Sequence, residues 1–176
     1  MPDLKLITSE IIARYDRILT GLDIAFDDAE ASRKLRELRG GVWMTVVTSA
    51  EAAEAVGAQL PQGTVQRLGA GDALPFDDCP FEVVVLNGKA LSQPLVREIH
   101  RVLRPAGCLF FTVEEENRGQ RDSTLSKVYN IFLKHGFDII SISRPPWWKF
   151  GFGCHSLTVC ARRKAWKEHK SLGGVV

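Results

Sequence analysis

Residues 81–86 read Phe-Glu-Val-Val-Val-Leu, an almost unbroken apolar run in a chain that alternates β-branched stretches with helical patterns. A strand this apolar needs cover on both faces, and helices above and below a parallel sheet supply it. The alternation of such runs with helix-length segments is the pattern of βαβ units.

The remaining segments fit that frame. Ser9 to Arg17 reads as an opening helix, with Ile11, Ile12 and Tyr15 three or four apart and Thr8 or Ser9 as its cap. A first strand is expected over Ile18 to Ile24. Asp27 is suited to cap the next helix, with Glu30 completing a capping box, and Gly40-Gly41 ends it. Val42 to Thr48 is a strand by its β-branched content, and Ser49 caps an alanine-rich helix that Gly57 stops. Thr64 to Leu68 is a short third strand, and Phe81 to Leu86 the central one. Leu95 to Leu103 forms an amphipathic helix that Pro105 and Gly107 close. Leu109 to Val113 is a strand. Ser123 opens a helix carrying Leu125, Val128, Tyr129, Phe132 and Leu133 up to Gly136. Phe137 to Ser143 and Ser156 to Ala161 are the last two strands. About seven strands and five helices are expected.

At 176 residues the chain accommodates one domain around one core. It is expected to occupy residues 1–164, followed by a basic and glycine-containing tail over 165–176. The formal net charge of +2 gives no argument for nucleic acid, and the run Arg162-Arg163-Lys164 with Lys167, His169 and Lys170 reads as a solvated end. Cys79, Cys108, Cys154 and Cys160 have no Cys-x-x-Cys or zinc-type spacing, so they are expected to be structural thiols and no metal is expected. No apolar run reaches the roughly 18 residues of a membrane helix, and the first residues lack a signal-peptide pattern. A cytoplasmic location is the resulting expectation.

Two segments carry a resemblance. Gly71-Asp72-Ala73-Leu74-Pro75-Phe76-Asp77-Asp78 with Phe81-Glu82-Val83-Val84-Val85, and Arg97-Glu98-Ile99-His100-Arg101-Val102-Leu103-Arg104-Pro105-Ala106-Gly107, stand at a characteristic spacing. They resemble the GDAxxLPFxDxxFDxVV and xExxRVLKPGG stretches of class I S-adenosylmethionine-dependent methyltransferases. The resemblance runs from about Val42 to Arg163. It implies an α/β three-layer sandwich, with a Rossmann-like sheet of seven mostly parallel strands and one antiparallel strand.

The resemblance also implies three cofactor contacts at the carboxyl ends of the strands, where open α/β sheets bind ligands. The first is a glycine loop after strand one that lets the backbone lie against the cofactor. Aligned from Ile18, its glycines fall at Leu22, Ile24 and Phe26, and none is glycine. Asp23, Asp27, Asp28 and Glu30 gather nearby, where like charge opposes the carboxylate of the cofactor. The second is an acidic residue ending strand two that holds the ribose hydroxyls, and Thr48 stands in its place. Hydrogen bonds to charged groups are worth ~1.5–3 kcal/mol, so this loss weakens binding about ten- to a hundredfold. The third is an acidic residue after strand three, matched by Asp72 with Ala73 and Leu74. Asn87, ending strand four, stands where the family often contacts cofactor or substrate. Asp72 is also suited to be a plain turn residue in Gly-Ala-Gly-Asp.

Gly69-Ala70-Gly71 lacks the Lys-Ser/Thr of a phosphate loop. The loop Pro145 to Gly153 gathers Trp147, Trp148, Phe150 and Phe152 among prolines and glycines. Such a patch suits either a lid on the sheet end or a surface for a homo- or hetero-oligomeric partner. His155 beside Cys154 is the one histidine suited to acid/base work there, whereas His100 is expected to face outward. The expectation is a methyltransferase-like protein with a degenerate cofactor site, acting as a non-catalytic binding or partner subunit. The alternative is an active S-adenosylmethionine-dependent methyltransferase for a small molecule, since methyl transfer relies mainly on positioning. A different nucleotide-binding enzyme ranks last.

Overall fold

The computed structural model describes residues 4–87, 91–115, 121–143 and 155–165. Its elements, in chain order, are α1 (Leu4–Arg14), β1 (Thr20–Ile24), α2 (Ala29–Glu37), β2 (Val42–Val47), α3 (Ala50–Gly57) and β3 (Val65–Arg67). A short 3₁₀ turn (Ala70–Asp72) leads to β4 (Phe81–Leu86), α4 (Gln93–Val102), β5 (Leu103–Glu115), α5 (Arg121–Lys134), β6 (Phe137–Ser143) and β7 (His155–Arg163).

The strands form one seven-stranded sheet in the order β3-β2-β1-β4-β5-β7-β6. β1 to β5 pair in parallel, and β7 runs antiparallel to both of its neighbours, β5 and β6. This is the mostly parallel sheet with one reversed strand that the sequence leads one to expect.

Strand periodicity divides the core. Leu22, Ile24, Val84, Leu86, Leu109, Phe111 and Val159 point to one face, where Leu95, Val96, Ile99 and Val102 of α4 and Val128 and Phe132 of α5 cover them. Val83, Val85, Phe110 and Cys160 point to the other, beneath Ile7 and Ile11 of α1 and Leu35 of α2. Each fully buried side chain of this kind contributes roughly 1.5–3 kcal/mol. Gly21 in β1 leaves room for the indole of Trp43 on β2, whose ring carbons would lie 2.5–2.6 Å from a Cβ at that position.

The element boundaries correct the sequence reading in several places. The first helix starts at Leu4 rather than Ser9, because the Thr8 and Ser9 hydroxyls bond back to the Lys5 carbonyl and sit within the helix instead of capping it. The strand expected from Ile18 starts at Thr20. Ser49 and Ser92 cap α3 and α4 through the amides of Ala52 and Leu95. β5 begins at Leu103, well before Leu109. Its first residues make an excursion: Phe81 pairs with Leu103, whereas Val83 pairs with Cys108. Pro105 and Ala106, the latter at φ 65°, lie in the excursion, where no regular ladder amide is needed.

Of the four cysteines, Cys108 and Cys160 are buried, Cys79 is half-buried, and all three are free thiols. Cys154 lies outside the described residues, as do the side chain of His155 and the chain beyond Ala165. Among the described residues no helix is long and apolar enough to cross a membrane.

Candidate functional site

The carboxyl ends of β2, β1 and β4 stand side by side. The Ala25 amide donates to the Val46 carbonyl at 2.7 Å, and the Asn87 amide donates to the Ile24 carbonyl at 3.0 Å. Thr48, the turn after β1 and Asn87 therefore share one edge of the sheet. Asp72, Ala73 and Leu74 join that edge through the turn after β3, which β2 positions by way of the Leu68 amide on the Val47 carbonyl.

The loop after β1 has a different register from the one aligned on the sequence. Leu22 and Ile24 are fully buried strand residues whose side chains belong to the core, so they are not loop positions. The turn into α2 consists of Ala25, Phe26, Asp27 and Asp28. Ala25 has φ 60° and Asp27 has φ 48°, both in the left-handed region that side chains disfavour by about 1–2 kcal/mol. The helix cap is Asp28, which accepts from the Glu30 amide at 2.9 Å, and not Asp27.

Asp27 is committed to a different partner. Its Oδ1 accepts from the Thr48 amide at 2.9 Å, and its Oδ2 accepts from the Thr48 hydroxyl at 2.6 Å. A carboxylate thus stands at the end of β2 after all, reaching across from the β1 loop. Nothing in the residue pattern signals this contact, because Asp27 is equally good as a helix cap.

Beneath the loop, Asp23 is buried completely. Ser32 Oγ donates to its Oδ1 at 2.7 Å, Thr45 Oγ1 donates to its Oδ2 at 2.9 Å, and the Arg36 guanidinium lies 3.5 Å from Oδ2. Burial pushes its pKa up to about 6, against the lowering effect of Ser32, Thr45 and Arg36. Arg36 also donates to Trp43 O, Thr45 Oγ1 and Thr64 Oγ1, which ties α2 to β2 and the approach to β3.

Asp72 ends the 3₁₀ turn at φ 64°, and its carboxylate accepts from the Ser92 hydroxyl at 2.5 Å. It therefore works as a turn residue that orients the cap of α4. Leu74 is buried, and its amide donates to Glu98 at 3.0 Å, while the Ala73 carbonyl accepts from the Gly69 amide. Arg101 holds the same segment. It donates to the carbonyls of Phe76 and Leu74 and pairs with Glu98 and Asp78.

His100 is half-buried, contrary to the outward placement expected. It stands edge-on to Phe137, with ring centroids 5.4 Å apart. Burial lowers its pKa, helped by Arg163 and His135. It lines a groove of about 890 Å³ at the opposite edge of the sheet, together with Pro105, Ala106, Gly136, Asp138 and the end of β7 from Arg162 to Ala165. The aromatic loop with Trp147, Trp148, Phe150 and Phe152 lies outside the described residues. Among the described residues, no group of three or more His, Cys, Asp or Glu side chains is placed to hold a metal.

No protein-family model matches the chain. A demethylmenaquinone methyltransferase of Chlorobaculum tepidum is 36% identical over 72 residues, which is 38% of this chain and 28% of that enzyme. The match thus spans little more than a quarter of the relative's length. Among solved structures, an S-adenosylmethionine-dependent methyltransferase of Aquifex aeolicus superposes with a TM-score of 0.70, at 13% identity over 92% of this chain and 89% of that one. The cyclase SpnF superposes with a TM-score of 0.72, at 14% identity over 92% of this chain and 81% of that one. The chain has the class I methyltransferase fold.

Proposed function

We propose that this class I methyltransferase-fold chain is a non-catalytic binding or partner subunit whose own side chains close the cofactor crevice. The observation that carries the reading is the two-point bond from the Asp27 carboxylate to Thr48. Methyltransferases of this fold hold the cofactor with a glycine loop and a strand-two carboxylate, and here the loop's acidic side chain lies on the strand-two position. The residues present do not fit S-adenosylmethionine. The Thr48 donors are taken, Asp72 is engaged with Ser92, and the carboxylates of Asp27 and Asp28 oppose the methionine carboxylate. Fold alone does not require methyl transfer, as the cyclase on the same fold illustrates.

The partner surface in this reading is the aromatic loop with Trp147, Trp148, Phe150 and Phe152. The setting is cytoplasmic, in keeping with three free thiols. The second reading is an active S-adenosylmethionine-dependent enzyme for a small molecule. It is favoured by the menaquinone-type relative and by the gathering of Thr48, Asp72, Ala73, Leu74 and Asn87 along one edge. Calorimetric titration with S-adenosylmethionine and S-adenosylhomocysteine tests the first reading: no binding is expected at micromolar ligand, and micromolar affinity for either would overturn it.

A further inference from the structure

We infer that Asp27 is a latch: its side chain, rather than the path of the loop backbone, keeps an adenosyl ligand out of the crevice. The inference rests on the closed-crevice reading above and specifies what closes it. Ala25 at φ 60° and Asp27 at φ 48° place the turn in a conformation that glycine adopts freely and other residues rarely adopt. The main chain after β1 therefore keeps a glycine-like course although the glycines are gone. Such strained positions persist only where the surrounding structure enforces them. At Ala25 its own amide on the Val46 carbonyl supplies that enforcement, so the course of the loop does not hang on the Asp27 side chain, whose two oxygens accept from the Thr48 amide and hydroxyl.

The consequence is chemical. Thr48 directly follows β2, and its N–H and O–H would otherwise be open to a ligand lying across the strand ends. Asp27 satisfies both as a tethered surrogate anion and puts its own charge and bulk in the same place. Asp28 is separate, because α2 uses it as a cap. Removing one side chain should then free the crevice without rebuilding the loop. Neither Asp27 nor Thr48 belongs to the buried core, so substitutions there leave the core intact.

The test is calorimetric titration of wild type, Asp27→Gly, Asp27→Ala, Asp27→Asn and Thr48→Val with S-adenosylhomocysteine and, separately, with adenosine. Circular dichroism confirms that each variant is folded. Asp27→Gly and Asp27→Ala are expected to bind at least tenfold more tightly than wild type. Thr48→Val, which breaks the hydroxyl half of the latch from the other side, is expected to gain a smaller factor. Asp27→Asn keeps the bulk and an oxygen for the Thr48 amide but drops the charge, so it is expected to gain a smaller factor with S-adenosylhomocysteine and to stay near wild type with adenosine. Folded Asp27→Gly and Asp27→Ala variants that bind no better than wild type overturn the latch and leave the closed-crevice reading standing. If neither of these folds, binding by Thr48→Val that is unchanged from wild type overturns the latch in their place. Wild-type binding equal to that of Asp27→Gly overturns both ideas. Wild-type binding that Asp27→Gly improves tenfold overturns only the closed crevice. Weaker binding by Asp27→Gly than by wild type overturns the latch and makes Asp27 a ligand-holding carboxylate.

Discussion

The Arg36 guanidinium lies 3.5 Å from a carboxylate, Asp23, that has no exposure to solvent. Ser32 and Thr45 complete the shell around that carboxylate, so one buried charge connects β1, α2 and β2 immediately below the turn after β1. Truncating the cationic member of such a pair strands its partner and typically costs about 3–5 kcal/mol. Arg36→Met should therefore destabilise the fold by about 3 kcal/mol at neutral pH, read by urea denaturation, and by less at about pH 4.5, where Asp23 carries its proton.

The same carboxylate gives the pH dependence a definite sign. Burial raises the folded-state pKa of Asp23 from 3.8 to about 6. The folded state thus holds the proton more tightly than the unfolded chain. The stability this contributes is fully present below about pH 3.8 and is lost as pH rises through about 6. Glu10 and Glu98, whose pKa values are lowered, act in the opposite direction, so their contributions fall away on acidification. Subtracting the stability profile of Asp23→Asn from that of wild type isolates the Asp23 effect. That difference should decline between about pH 4 and about pH 6.5, and a rise over the same interval would refute the assignment.

Arg101 joins α4 to the segment between β3 and β4 through two carbonyls and two carboxylates. Its planar fork meets all of them at once, which an ammonium cannot do. Arg101→Lys should cost about 1–2 kcal/mol by chemical denaturation. A loss as small as that of an ordinary surface substitution would show that the network contributes little.

Gly21 faces the Trp43 ring so closely that an added methyl must displace the indole. Overpacking of this kind costs about 1–3 kcal/mol. Gly21→Ala should lower stability by that amount, and Trp43→Leu in the same chain should recover part of it. Strict additivity of the two changes would mean that they do not touch.

The fold was legible because its largest signals are periodic. The 81–86 run, the faces of α4 and α5, and the serine cap at Ser49 each specify an element and its orientation, whereas the Ser92 cap of α4 went unread. Boundaries were less legible where local chemistry competed. Ser9 looked like a cap yet bonds back inside α1, and Pro105 looked like a terminator yet lies in an excursion of β5. The candidate site was only half legible. Its location followed from the order of the strands, and Asp72 as a turn residue followed from its glycine neighbours. The loop register did not, because Leu22 and Ile24 can be told from loop residues only by their burial in the sheet. The Asp27 contact was hidden for a related reason. Asp27 and Asp28 are equivalent as caps in one dimension, and only the position of Thr48 in space separates their roles.

β7 runs opposite to the other strands, so it ends at Arg163 on the edge far from Asp27 and Thr48. A dye attached near that end, beside Arg162 and Lys164, would report on whatever approaches the groove while remaining remote from events at the crevice. The two ends of the sheet can therefore be interrogated independently in one molecule.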